Sequence, residues 1–63
     1  MRLLRLSEVL HLTALSRSSV YRLMEAGSFP ASINLSARSV AWVEEEVQEW
    51  IQKRIEERGQ PSR

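Results

Sequence analysis

Arg17, Ser18, Ser19, Tyr21 and Arg22 fall within six consecutive positions and bring complementary hydrogen-bonding groups together. The planar fork of arginine matches guanine O6 and N7, and it also pairs with phosphate. Serines are short enough to let a helix approach its target closely. A tyrosine can donate its hydroxyl to a phosphate while its ring covers the helix flank. Further along, Arg38 lies beside Ser36 and Ser39, where a cation could meet a phosphate or enter a minor groove. Any one of these residues reads equally well as ordinary solvated surface. Grouped on one short segment next to a turn, they point to double-stranded DNA as the partner.

Catalysis is disfavoured by inventory. His11 is the single histidine, and there is no cysteine or aspartate. No glycine-rich phosphate loop is present. Glu44, Glu45 and Glu46 have no histidine to complete a metal site, and the favourable charge at a helix start explains them. The expectation is a non-enzyme with no metal, cofactor or small-molecule ligand.

The elements that would carry these residues follow from periodicity. Leu6, Val9 and Leu10 have helical spacing, and Ser7 reads as an N-cap, for a short helix over about 7–13. After a brief turn, Ser16 reads as the next N-cap. Val20, Leu23 and Met24 form the apolar stripe of a second helix, and Gly27 ends it. Successive residues about 100° apart place Ser18, Arg22 and Glu25 opposite that stripe, with Tyr21 on the flank. Two short helices across so tight a turn make a helix-turn-helix. In that motif the second helix enters the major groove, and Arg17 in its first turn suits a phosphate or a base edge.

Beyond Phe29-Pro30 the period drops to two. Ile33 and Leu35 alternate with Asn34, and Val40 and Trp42 alternate with Ala41, which predicts a hairpin with its tip at Ser36-Ala37-Arg38-Ser39. From about Glu44 helical spacing returns with Val43, Val47, Trp50, Ile51 and Ile55 on one face, and Glu49 and Lys53 form an i, i+4 pair. Trp42, Trp50 and Phe29 each fall on the apolar side of their own segment and read as core. The expected fold is mainly α with a small β-hairpin, a winged helix-turn-helix in the order helix, helix, hairpin, helix. The expected organisation is one domain over 1–58 and a flexible tail over 59–63.

Charge and size fit that picture. Residues 1–43 carry five arginines against two glutamates, a net +3, while residues 44–63 carry four basic residues against six glutamates, a net −2. The basic part, with Arg5 as a weaker phosphate contact, can face DNA while the acidic helix stays away. Sixty-three residues without cysteine form one marginal core at most. No apolar run approaches the roughly 20 residues of a membrane span, so a cytoplasmic protein is expected.

Several stretches together resemble the AlpA family of prophage regulatory proteins: Arg5-Leu6-Ser7-Glu8-Val9, Leu15-Ser16-Arg17-Ser18-Ser19-Val20-Tyr21-Arg22-Leu23-Met24, Gly27-Ser28-Phe29-Pro30, Arg38-Ser39-Val40-Ala41-Trp42 and Glu46-Val47-Gln48-Glu49-Trp50-Ile51. The resemblance implies a MerR-like or excisionase-like winged helix-turn-helix and a bacterial, nucleoid-associated transcriptional regulator that acts on integrase expression or excision. By position it implies that Arg17, Ser18, Ser19, Tyr21 and Arg22 belong to the recognition helix, and Arg38 and Ser39 to the wing. Ala14 stands where the family commonly has glycine, which implies a tighter or strained turn. A second reading uses the same surface, an excisionase-like protein that bends attachment-site DNA and recruits an integrase; a third is a protein-interaction module docking a partner or second copy through its Glu-rich last helix.

Overall fold

The computed structural model describes residues 1–58. The expected tail over 59–63 lies outside the described residues. In chain order the elements are β1 (Leu3–Leu4), α1 (Leu6–Thr13), α2 (Arg17–Glu25), β2 (Ile33–Ser36), β3 (Ser39–Val43) and α3 (Glu44–Arg58). The chain is mainly helical with an antiparallel hairpin as its wing, a winged helix-turn-helix.

One strand was not foreseen. β1 pairs antiparallel with β3, Leu3 opposite Val43 and Leu4 opposite Trp42, so the sheet runs β1-β3-β2. A two-residue strand leaves no periodic trace, and it exists only because β3 offers it a ladder. Arg2 extends the seam: its carbonyl accepts from the Glu44 backbone N–H at 2.9 Å. Its guanidinium meets Glu8 and Glu44, each at 2.9 Å, and so bridges the starts of α1 and α3.

Strand pairing also moves the start of α1. Arg5, extended at φ −81° and ψ 165°, is the N-cap, and its N–H donates to Glu8 Oε1 at 2.8 Å. Ser7 therefore sits inside the first turn and does not cap the helix. At the other end Ala14 closes α1 in the left-handed region (φ 61°, ψ 20°), donating its N–H to the Leu10 carbonyl at 2.9 Å. An L side chain there costs about 1–2 kcal/mol, so the turn is strained as expected.

Trp42 is the centre of the core. It is fully buried in one cluster with Leu4, Val9, Val20 and Val47, to which β1, β3 and all three helices contribute. Phe29 is also buried, while Trp50 packs on the core from its edge. The Trp50 ring meets Phe29 edge-on at 4.9 Å, and its Nε1–H donates to the Ser28 carbonyl at 2.7 Å. Arg54 covers the same ring, its guanidinium carbon 4.8 Å from the ring centre, and pairs with Glu57 at 2.9 Å. The Trp50 face attracts the guanidinium, while no ion pair joins Glu49 to Lys53 among the described residues.

The hairpin departs from simple alternation. All four residues of β2 are exposed, and the strand lies at one of the two edges of the sheet. Ile33 faces Ala41 and Asn34 faces Val40, but Ser36 faces Ser39, which leaves Leu35 as an extra residue in a bulge. Neither Ala37 nor Arg38 has a positive φ, so the tip is not one of the primed turns that match strand twist. The bulge absorbs that mismatch.

Candidate nucleic-acid interface

α2 is fastened at both ends and along one side. Ser16 Oγ accepts from the Ser19 N–H at 3.2 Å and donates to Ser19 Oγ at 2.9 Å, capping the start. At the finish, Gly27 (φ 75°) donates to the Met24 carbonyl at 3.0 Å and Ser28 to the Leu23 carbonyl at 2.8 Å. This is a Schellman closure, and its left-handed residue favours glycine. The Trp50 bond to Ser28 then ties that closure to α3. Between the ends, Val20 is fully buried, with Leu23 and Met24 packed beside it.

That anchoring turns the opposite face outward. Arg17, Ser18 and Arg22 are exposed, and Tyr21 is 42% exposed. The Tyr21 ring makes an edge contact with Trp42, centroids 6.5 Å apart, so its orientation is set by the core and by the wing strand that carries Trp42. Ser19 differs from its neighbours: it is half-buried and its hydroxyl is engaged with Ser16. Ser18, Tyr21, Arg22, Met24 and Glu25 line a shallow hollow on this face. Met24 thus serves both the core and the outer surface, a double role that its place in the apolar stripe concealed.

On the wing, Arg38 is exposed at the tip and Ser39 is half-buried opposite Ser36. Arg5 is exposed at the start of α1. Among the described residues no ion pair engages Arg5, Arg17, Arg22 or Arg38, whereas Arg2 is held by two glutamates. Free guanidinium groups are available to an incoming anion; Arg2 is not.

Among the described residues no cluster of three or more His, Asp or Glu side chains could hold a metal ion. None of their helices is long and apolar enough to cross a membrane.

The family described as "Prophage CP4-57 regulatory protein (AlpA)" matches residues 2–55, which include every element of the fold up to the last turn of α3. The chain belongs to the AlpA family. Among curated AlpA-like relatives, the ORF88 protein of Enterobacteria phage P4 is 46% identical over 54 residues, covering 86% of this chain and 61% of the phage protein. The chain therefore spans about three fifths of that relative's length. A second relative, named DNA-binding transcriptional activator AlpA in Escherichia coli (strain K12), is 34% identical over 59 residues, with 84% of each chain covered.

Proposed function

We propose that this chain is a sequence-specific DNA-binding transcriptional regulator of the prophage AlpA type, acting in the bacterial cytoplasm on integrase expression or excision. The observation that carries the reading is the outward face of α2: Arg17, Ser18, Tyr21 and Arg22 exposed on a helix whose other side is locked to the core. A fixed helix with unpaired guanidinium groups is what base reading requires, since a bidentate contact to guanine tolerates little misplacement. The name of the Escherichia coli relative adds independent support.

The roles divide by position. Arg22, in the body of α2, reads a base; Arg17, Ser18, Ser19 and Tyr21 position the helix on the groove; Arg38 and Ser39 bring the wing to the neighbouring backbone, and Arg5 adds a peripheral phosphate contact. One helix and one wing cover only a few base pairs, so paired occupancy of a site by two copies follows.

The test is selection of binding sites from a random duplex pool, followed by salt titration on the winner. Neutralising three phosphates with Arg5, Arg17 and Arg38 gives a log–log salt slope of about −3. Arg22→Ala loses about 1–3 kcal/mol on the selected site and relaxes the base preference at one position. Wild-type affinity and preference in that variant would refute the assignment.

A further inference from the structure

The charge map of the wing is unusual for an exposed strand. Between Glu25 and Glu44 the chain carries one charged residue, Arg38. The edge strand β2 reads Ile33-Asn34-Leu35-Ser36, is exposed throughout and holds two large apolar side chains, Ile33 at 38% exposure and Leu35 at 53%. Edge strands are ordinarily protected by charge, especially lysine, or by a bulge that twists the edge away. The bulge here meets that need. It does not explain a leucine at the bulged position, where a polar residue would serve the edge better.

Ile33 has a local explanation, because it lines a hollow with Pro30 and Trp50. Leu35 is more exposed and lies nearer the tip, next to the closing pair Ser36–Ser39 and three residues before Arg38. Bulges re-aim a side chain out of the regular pleat. The wing thus presents one cation and one apolar group three positions apart at its tip; residues 26–43 carry no carboxylate, and Glu46, Glu49 and Glu57 of α3 line the hollow beside Ile33, at the end of β2 away from the tip.

We propose that Leu35 is an apolar anchor of the wing, packing on the deoxyribose wall of a DNA minor groove beside the phosphate that Arg38 engages. This rests on the DNA-binding reading above and adds a contact of a different physical kind. The minor groove is about 6 Å wide, and its walls are sugar rings, rich in C–H groups. Proteins that address this groove commonly combine arginine with leucine or another apolar wedge. A contact made by burying hydrocarbon releases no counterions, so it strengthens binding equally at low and high salt, whereas an arginine contributes to the slope.

That difference supplies the experiment. The full chain and its Leu35→Ser, Leu35→Met and Arg38→Ala variants are titrated with a labelled duplex carrying the selected site, over a range of salt concentrations. Thermal melts and sedimentation of the free proteins accompany the titrations. Leu35→Ser is expected to weaken binding about tenfold at every salt concentration, giving a line parallel to wild type, from loss of about half a leucine's burial. Leu35→Met is expected to restore affinity to within a few-fold. Arg38→Ala is expected to flatten the slope by about 1. Wild-type affinity for Leu35→Ser overturns the anchor, and so does a changed slope. If wild type self-associates without DNA and Leu35→Ser abolishes that, the side chain serves a second copy and the proposal also falls. Failure of the unmodified chain to bind any selected duplex ends the DNA reading itself, while normal binding by Leu35→Ser ends only the anchor.

Discussion

α2 and β2 both meet solvent, and they do so in opposite ways. α2 is held by a serine cap at its start, a glycine closure at its end, Val20 in the core and Tyr21 against Trp42. β2 is exposed at every position and hydrogen-bonded to one neighbour, β3. A recognition helix must be rigid, because an ångström of misplacement spoils a bidentate contact. A strand that grips sugars and phosphates can adjust, because those groups repeat along the groove. In the proposed function the fastened element reads sequence and the loose one holds on. Energy spent on ordering is thus concentrated where geometry matters.

The contrast breaks hardest at Trp42. Trp42→Ala removes the largest side chain of the buried cluster that holds Leu4, Val9, Val20 and Val47, and comparable truncations cost about 3–5 kcal/mol. For a domain this small that approaches the whole stability, so loss of the cooperative thermal transition and of most helical circular dichroism is expected. A variant that melts like wild type would show that α2 is not held by this core. Replacing exposed Leu35 should by contrast move the melting curve little. Trp42 also carries the one buried side-chain polar atom without a partner among the described residues, its Nε1.

Ser16 offers a narrower cut. Ser16→Ala removes the bond to the Ser19 N–H and frees the Ser19 hydroxyl, at a cost of about 1 kcal/mol in urea denaturation. The variant stays folded, and the damage falls on the first turn of α2, where Arg17 and Ser18 lie. DNA affinity should drop with stability if the pinned start of the helix matters to its use. An unchanged melting midpoint would mean that the cap is not holding the helix.

These two sites also show what was legible in the chain and what was not. Ser16 and Gly27 could be read because a cap and a closure are set within four or five residues of chain. The outward placement of Ser18, Arg22 and Glu25, with Tyr21 on the flank, follows from 3.6-residue periodicity. The double pairing of Arg2 could not be read, since one partner, Glu44, lies 42 positions away. Nor could β1, which has no pattern apart from the strand it pairs with. Serine favours the N-cap, which points to Ser7, but strand pairing through Leu4 sets the helix start two residues earlier, at Arg5. The bulge at Leu35 was hidden for another reason. Alternation in sequence shows which side chains could share a face, while a turn without positive φ decides whether the register can keep them there.

The smallest expected effect is at Ala14, and its sign takes some care. Glycine at this position removes the left-handed penalty of about 1–2 kcal/mol that an alanine Cβ carries at φ 61°. Glycine also enlarges the unfolded ensemble, which takes back about 0.4–1 kcal/mol. The difference leaves Ala14→Gly more stable by roughly half a kcal/mol, a rise in the melting midpoint of a few degrees for a chain this short. The backbone bond from Ala14 to the Leu10 carbonyl is unaffected by the change, so the gain comes from the torsion angle alone. Ala14→Val should move the midpoint the other way, because a β-branched side chain fits the left-handed region worse. If glycine lowers the midpoint, the corner between α1 and α2 is not left-handed in solution. The angle at which α2 leaves α1, and with it the direction of Arg22, would then differ from the one described.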